Sequence, residues 1–277
     1  MELNTVNIAS RTCTRGLIRA KISPYMSKMK LYGEKSDVVY LTQNKDPFFA
    51  YLTRKVFEEV DWSKKNGRLL DLGCGSGRLA LAAVRNGFEV VGVDYVAKAI
   101  NIANDEAKRL GLTDRVRFMQ GDLTAVESGQ FGKFDYVVLM EVIEHIDDYQ
   151  KVIDFAWGSL KPGGKLLLTT PNDPAYWTIL DDYARHIRRF TIPQVKIALK
   201  KFSKVKIGTF GYPLHRLAEL IYNLLMQSRN LKHKPKLFRL NPFVSALYYA
   251  IGSFVMAIDD LFAWRDGGTT IIAIAAK

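Results

Sequence analysis

Short apolar segments alternate with amphipathic segments between residues 66 and 170, and no other feature limits the possible folds as strongly. Five segments have the length and the Gly, Asp or Pro boundaries of strands: Arg68–Leu72, Glu89–Val93, Val116–Met119, Phe134–Leu139 and Lys165–Thr170. Helical patterns separate them at Arg78–Asn86, Ala97–Leu110 and Ile143–Leu160, and Lys161–Gly164 (KPGG) is predicted to be a turn. Strands that alternate with helices predict an α/β fold, with a parallel sheet and helices on both of its faces.

The pattern changes after residue 170. A helix is predicted over Thr191–Phe202, with strands over Val205–Phe210 and Thr269–Ala275. The residues between the two strands predict a helical insertion with helices at Leu214–Gln227 and Phe243–Trp264. The second helix contains sixteen consecutive uncharged residues, FVSALYYAIGSFVMAI. At 1.5 Å per residue they span about 24 Å, less than the hydrocarbon core of a bilayer, so a buried or interfacial helix is expected.

A glycine-rich turn, LLDLGCGSGRLA, joins the first predicted strand to the first predicted helix. Gly73, Gly75 and Gly77 allow a tight turn and let the backbone approach a ligand without a Cβ clash. Asp71, at the carboxyl end of the strand, can accept hydrogen bonds from an amine or from ordered water. A glycine-rich turn alone is compatible with several nucleotide cofactors.

Acidic residues at the next two strand ends reduce the number of cofactors that the sequence could bind. In the segment VVGVDY a strand ends at Asp94, 23 residues beyond Asp71, where a carboxylate can bind both ribose hydroxyls of a nucleoside. Asp122, in the segment GDL, is well placed for an exocyclic adenine amine. Three such features at successive strand ends indicate a nucleoside-binding site.

These residues resemble the class I S-adenosylmethionine (SAM)-dependent methyltransferase family over residues 66–172, including the strand FDYVVLME and the KPGG turn. The resemblance implies a Rossmann-like seven-stranded sheet whose last strand, Thr269–Ala275, is antiparallel. The glycine spacing GCGSG differs from the dinucleotide pattern G-x-G-x-x-G and favours SAM over NAD. The predicted SAM-binding residues are Asp71, Gly73, Gly75, Gly77, Asp94, Tyr95, Asp122, Leu123 and Met140.

The segment FDYVVLMEVIEHIDD carries the candidate catalytic residues. If a helix begins near Glu141, then Glu141, Glu144 and His145 share one face at the ligand-binding edge of the sheet. Two carboxylates and an imidazole can hold Mg²⁺ or Mn²⁺, and His186, in ARHIRRFT, can supply a fourth ligand.

The pattern E-x-x-E-H with a later His resembles two groups of this family, the ubiquinone-pathway O-methyltransferases and the small-RNA 3′-terminal 2′-O-methyltransferases. The resemblance implies that Glu141, Glu144, His145 and His186 are metal ligands that orient and acidify an acceptor hydroxyl. Similar segments also occur in relatives that use no metal. His145 would then be a general base, or would have only a capping or packing role.

Positive charge is concentrated in one part of the chain. Between His186 and Leu240 there are thirteen Lys or Arg residues and one acid, Glu219, so this segment accounts for the net charge of +12 of the whole chain. A concentrated positive field indicates an anionic partner, such as membrane phosphates, nucleic acid or a phosphorylated substrate, although a basic surface that only aids solubility is the simpler interpretation.

The helical insertion predicts the class of acceptor. Apolar helices beside the basic linker RNLKHKPKLFR have the composition of a segment that lies on an anionic membrane, and we expect a lipid, prenyl or quinone-like acceptor. A helical cap or a dimer interface would have a similar composition. RNA 2′-O-methylation and a non-catalytic SAM-binding partner subunit are the alternative functions, and nucleic acid is the less favoured partner.

These observations give four predicted regions: a basic arm and helical cap (1–65), a SAM-binding core (66–212), the insertion (213–265) and the last core strand (266–277). The basic bias of the first 35 residues also suits an organellar presequence. Only two cysteines occur, and no secretory signal is apparent, so a cytoplasmic protein, peripheral on the membrane, is expected.

Overall fold

The computed structural model describes residues 46–64, 66–127, 129–228 and 242–277. Their centre is one seven-stranded sheet with the order β3-β2-β1-β4-β5-β7-β6, in which only β7 runs antiparallel to its neighbours. The strands are β1 Arg68–Leu72, β2 Glu89–Asp94, β3 Val116–Gln120, β4 Phe134–Met140, β5 Leu160–Pro171, β6 Lys204–Phe210 and β7 Thr270–Ala276. The predicted Rossmann-like α/β fold is therefore confirmed, including the antiparallel last strand.

Helices cover both faces of the sheet. They are α1 Pro47–Glu58, α2 Arg78–Arg85, α3 Ala97–Arg109, α4 Tyr149–Ser159, α5 Ile179–Ala184, α6 Ile192–Ala198, α7 Leu214–Ser228 and α8 Pro242–Asp259. Because side chains alternate along a strand, Leu69 packs into a core with α1, α2 and α3, whereas Leu70 packs into a second core with α4 and α6.

The predicted helix Ile143–Leu160 is wrong at its beginning. Glu141 has a left-handed φ of 55°, Ile143–His145 forms a 3₁₀ turn, Ile146 is extended, and α4 begins only at Tyr149. Glu141, Glu144 and His145 therefore do not share a helical face. They come together in a tight turn that follows β4.

Three other predicted boundaries also need correction. Lys161–Gly164 belongs to β5, which begins at Leu160, and its register against β4 shifts between Phe134 and Tyr136. The helix predicted over Thr191–Phe202 is α6 and ends at Ala198. The helix predicted to reach Trp264 is α8, and it ends at Asp259 before a 3₁₀ turn.

Buried contacts attach the two insertion helices to each other and to α1. The carboxylate of Asp259 is fully buried, and it accepts the backbone N–H groups of Leu214 and His215, both at 2.8 Å, at the beginning of α7. A Cβ on Gly252 of α8 would lie 2.3 Å from the ring of Pro47, so only glycine allows α8 to approach α1 this closely.

Two predicted features lie outside the described residues: most of the basic arm, over 1–45, and the basic linker, over 229–241. Within the described part of the chain, no helix is long and apolar enough to cross a bilayer. The division into four regions remains a prediction.

Candidate functional site

A cavity of about 1000 Å³ lies at the carboxyl ends of β1, β2 and β4. The glycine-rich turn and the strand-end acids form one side of it. Residues of α1, α5, α7 and α8 form the opposite side. The predicted SAM-binding residues and the predicted catalytic residues therefore meet in one space, although they come from separate parts of the sequence.

The glycine-rich turn has a different role at each glycine. Gly73 has a φ of 78°, and a Cβ there would lie 2.4 Å from the side chain of Val142, so the backbone can line the cavity only without one. Gly75 also lines the cavity. Gly77 is the residue that precedes α2, and a Cβ on it would lie 2.5 Å from the ring of Phe118. Gly77 is not among the residues that line the cavity. Glycine is required there because a larger residue would clash with Phe118.

The carboxylate of Asp94 is held by two backbone amides. Its Oδ2 accepts the N–H of Gly75 and its Oδ1 accepts the N–H of Val96, both at 2.8 Å. Each carboxylate oxygen can accept more than one hydrogen bond, so both oxygens retain capacity for a ligand hydroxyl. Burial raises the pKa of Asp94, and the two amides oppose that shift.

Asp71 lies deeper in the same wall. It is 3% exposed, and its Oδ2 has no hydrogen-bond partner among the described residues. Burial, with the nearby charge of Asp94, raises its pKa to about 7, while the guanidinium of Arg78 opposes the shift. A buried carboxyl with one unpaired oxygen is suited to a cationic or hydrogen-bond-donating ligand.

The remaining predicted SAM contacts also lie in the cavity wall: Tyr95, Asp122, Leu123 and Met140. Oδ1 of Asp122 accepts the backbone N–H of Thr124 at 2.8 Å and its hydroxyl at 2.7 Å. These bonds fix the orientation of the carboxylate, while Oδ2 takes no part in them.

The predicted metal ligands form a cluster next to this wall. Ligand atoms of Glu144, His145 and His186 all lie within 4.8 Å of one another, and the two imidazole rings are 4.8 Å apart. Glu141, His145 and His186 line the cavity, whereas Glu144 is fully buried behind it. Glu141 is not part of the three-residue group, although it begins the same turn.

The acids of this cluster are not fully hydrogen-bonded. Glu144 Oε2 accepts the hydroxyl of Thr170 at 3.0 Å, but Oε1 of Glu144 and Oε1 of Glu141 are buried without a hydrogen-bond partner in the described part of the chain. Burial raises the pKa of both carboxyls, that of Glu141 to about 6. Burial, with the charge of His186, lowers the pKa of His145 to about 4, so its imidazole is neutral at pH 7.

Sequence reasoning missed a residue that supports the cluster. Asp181, on α5, is 1% exposed, and its carboxylate lies 2.8 Å from Nδ1 of His186. The guanidinium of Arg189 donates two hydrogen bonds of 2.8 Å to the same carboxylate. An acid five positions before a histidine is too common in sequences to identify such a contact.

The insertion helices supply polar groups that sequence reasoning also missed. His215, Glu219 and Tyr222 of α7 and Tyr248 of α8 line the cavity opposite the glycine-rich turn. The ring of His215 stacks on Phe48 of α1 with centroids 4.6 Å apart, and Nδ1 lies 3.0 Å from the hydroxyl of Thr269. Burial, with the charge of Arg189, lowers the pKa of His215 to about 4.

The charge of the cavity is opposite to that of the whole protein. Nine Asp or Glu side chains and three Lys or Arg side chains are among the described residues that line it. The whole chain has a net charge of +12. The cavity therefore favours neutral or cationic ligands over anionic ones.

Known proteins share this combination of fold and motif. Residues 45–202 match the sequence model of a family described as "Methyltransferase domain". The chain belongs to the methyltransferase family. The resemblance to the class I SAM-dependent methyltransferases is thereby confirmed, and the family model covers more than half of the chain.

The curated relatives of this methyltransferase include proteins named ubiquinone biosynthesis O-methyltransferase. The one from Roseobacter denitrificans is 31% identical over 185 residues, which cover 64% of this chain and 68% of the relative. The one from Psychrobacter arcticus is 34% identical over 105 residues, 38% of this chain and 41% of the relative. The chain thus matches less than half the length of the latter protein.

Solved structures of other methyltransferases share the fold. Phosphoethanolamine N-methyltransferase 2 of Haemonchus contortus, in complex with phosphomonomethylethanolamine and S-adenosylhomocysteine, has a TM-score of 0.61 and 18% identity, covering 93% of this chain and 60% of that one. A putative sarcosine dimethylglycine methyltransferase of Galdieria sulphuraria has a TM-score of 0.54 and 15% identity, covering 83% and 86%. At these identities the likeness supports the fold alone.

Proposed function

We propose that this methyltransferase is an O-methyltransferase that transfers the methyl group of SAM to a hydroxyl of a hydrophobic acceptor at a membrane surface. The observation that carries the proposal is the position of Asp94 and the Glu141–His145–His186 group on the walls of one cavity. A methyl donor and an ionisable acceptor can therefore lie next to each other in it.

SAM would lie along the glycine-rich side of the cavity. Asp94 would accept hydrogen bonds from the ribose hydroxyls, and Asp122 would accept one from the adenine amine. The surplus of carboxylates suits a ligand that carries a positive sulfonium. Asp71 is the buried acid best placed to receive its amino group, because Oδ2 has no partner among the described residues.

Methyl transfer needs alignment and the removal of one proton. The acceptor oxygen forms a bond to the methyl carbon as the bond from that carbon to sulfur breaks, and S-adenosylhomocysteine is the leaving product. The proton of the hydroxyl passes to a base of the cluster. His145 lines the cavity and is neutral at pH 7, so it is one candidate base, and Glu141, whose pKa of about 6 lies nearer neutrality, is the other.

The cluster also fits a divalent cation. Glu144, His145 and His186 bring one carboxylate and two imidazoles within 4.8 Å of one another, and a buried oxygen of Glu144 and one of Glu141 have no partner in the described residues. Mg²⁺ or Mn²⁺ bound there would polarise the acceptor hydroxyl and lower its pKa. Asp181 would then orient His186 through Nδ1.

Removal of metal tests this assignment. Treatment with EDTA followed by gel filtration should lower turnover, and added Mg²⁺ or Mn²⁺ should restore it. Turnover that is unchanged by both treatments would exclude the metal and leave His145 as a metal-free base.

The surface of the insertion supports a hydrophobic acceptor. We call Leu217, Leu220, Ile221, Leu224 and Leu225 the outer face of α7, and each of them is between 49% and 57% exposed. On α8, Tyr248 and Ile251 are exposed and also line the cavity, so the mouth of the cavity is continuous with an apolar surface. The linker between the two helices carries five Lys or Arg residues from Arg229 to Arg239 in its sequence. Apolar area beside basic charge favours an anionic membrane.

Vesicle flotation tests the membrane surface. We expect the protein to float with vesicles that contain phosphatidylglycerol at low salt, and the double variant Leu220→Glu/Leu224→Glu to remain in the soluble fraction. Ile197→Glu is the matched control, because Ile197 is 68% exposed and belongs to α6, outside the insertion. Equal flotation of the double variant and the wild type would exclude the outer face of α7 as the docking surface.

Neither alternative function has comparable support. The cavity has a surplus of carboxylates, which would repel the phosphates of an RNA acceptor. A non-catalytic partner subunit would not need the buried, incompletely bonded acids of the cluster, which lower stability. Formation of S-adenosylhomocysteine by the purified protein, supplied either with total lipid extract or with total RNA, distinguishes the three functions. The proposal predicts product with lipid only.

A further inference from the structure

Glu219 is an exception in its part of the sequence. It is the one acid between His186 and Leu240, among thirteen Lys or Arg residues. Its side chain lines the cavity, and Arg189, the basic residue whose charge acts on it most, is itself paired with Asp181.

The period of α7 explains this orientation. His215, Ala218 and Tyr222 line the cavity together with Glu219, as residues at intervals of three and four do on one face of a helix. The outer face of α7 contains only apolar residues. Glu219 is thus the one charged side chain that α7 presents to the cavity among its described residues.

Glu219 interacts electrostatically with residues at the proposed site of the acceptor hydroxyl. Burial raises the pKa of Glu219 to about 7, and the charges of Arg189, Asp181 and Glu141 also act on it. Asp181 and Glu141 belong to, or support, the cluster that would hold the reacting hydroxyl. An acceptor bound at that cluster would therefore lie in the same cavity as the Glu219 carboxyl.

We propose that Glu219 selects acceptors by charge: it excludes those with a carboxylate or phosphate beside the reacting hydroxyl, and it admits neutral ones. This inference rests on the proposed function, because it assigns the acceptor to this cavity. Two like charges a few ångströms apart in a partly buried site repel strongly enough to change binding by tenfold or more.

Binding by the protein loaded with S-adenosylhomocysteine and Mg²⁺ tests the inference without turnover. Two ligands are compared by calorimetry at pH 8.5, where the Glu219 carboxyl is ionised: a short prenylphenol and the same compound with a carboxylate on its ring. We expect the wild type to bind the neutral compound about tenfold more tightly or better. Glu219→Gln, which keeps the shape of the side chain, should reduce that ratio about tenfold by strengthening the binding of the carboxylated compound.

Asp105→Asn is the matched control. Asp105 is exposed on α3 and does not line the cavity, so its loss removes one negative charge without changing the ratio. The affinity for S-adenosylhomocysteine should be equal in all three proteins. An unchanged ratio in Glu219→Gln, or no binding of either compound, would overturn the inference.

The failure of this inference is distinguishable from failure of the proposed function. If the protein methylates a lipid extract, but the ratio of its affinities for the neutral and the carboxylated compound is the same in wild type and Glu219→Gln, only the proposed role of Glu219 is wrong. A protein that forms no S-adenosylhomocysteine with any extract contradicts the proposed function itself.

Discussion

The carboxylate of Asp181 contacts Nδ1 of His186 at 2.8 Å, and it also accepts two hydrogen bonds of 2.8 Å from the guanidinium of Arg189. The pair Asp181–Arg189 is almost completely buried, with side-chain exposures of 1% and 4%. A neutral or cationic imidazole that donates from Nδ1 to this carboxylate presents Nε2 as its other ring nitrogen. The orientation of His186 thus depends on the buried ion pair between Asp181 and Arg189.

Asp181→Asn should strongly destabilise the protein. The substitution leaves the guanidinium of Arg189 buried without its charged partner, which costs about 3–5 kcal/mol of unfolding free energy. Urea unfolding measures the difference. The control is Asp154→Asn, which removes the exposed pair with Lys201 and should cost less than about 1 kcal/mol. Equal losses in the two variants would contradict the importance of the buried pair.

Asp94→Ala should abolish SAM binding at ordinary concentrations. The variant loses the proposed acceptor of both ribose hydroxyls and also the anchor of the Gly75 amide, so Kd should rise at least about 100-fold. Calorimetry with SAM measures the affinity, with Asp105→Ala as the exposed control. Near-normal affinity in Asp94→Ala would show that the nucleoside lies elsewhere.

His145→Ala should separate binding from chemistry. His145 belongs to the cluster and not to the glycine-rich side of the cavity, so the Kd of SAM should change little. Turnover should fall by about 100-fold or more, because the variant lacks either a base or a metal ligand. Full turnover in this variant, measured as release of S-adenosylhomocysteine, would leave His145 with a packing role only.

Asp71→Asn should change how stability depends on pH in the absence of SAM. The pKa of Asp71 is about 7 in the folded protein and about 3.8 when unfolded, so the folded state binds the additional proton between these values. The free energy of unfolding therefore falls as pH rises from about 4 to 7, by up to about 4 kcal/mol from this group, and is then constant. Asp71→Asn should lack this part of the decline, so it should be the more stable protein at pH 8. The free energy of unfolding of the wild type minus that of the variant should fall between pH 4 and 7. A difference that stays constant or rises over this range would contradict the raised pKa of Asp71.

Most of the sheet could be predicted because local patterns determine it. Leu69 and Leu70 pack into opposite cores, and their neighbours repeat that alternation along a strand with clear boundaries. The glycine-rich turn was equally predictable, since its positive φ angles depend on residue type.

The turn after β4 was not predictable, because contacts from distant parts of the chain shape it. The N–H of Glu141 donates to the carbonyl of Thr169 on β5, and the N–H of Ile187 donates to the carbonyl of Glu144. These bonds favour a left-handed residue and a 3₁₀ turn over a helix. The spacing of residues along the sequence, from which the helix was predicted, gives no information about them. The inward position of Glu219 was hidden for the same reason, since the side of α7 that meets the cavity depends on where α7 packs.

Transfer of label from SAM with a radioactive methyl group into a crude cell extract, followed by partition between organic and aqueous phases, tests the central claim most directly. Wild-type protein should place label in the organic phase, and Asp94→Ala and His145→Ala should both fail to do so. Label that stays in the aqueous phase would contradict a hydrophobic acceptor. If nuclease then converts the labelled material into small fragments, RNA is the substrate.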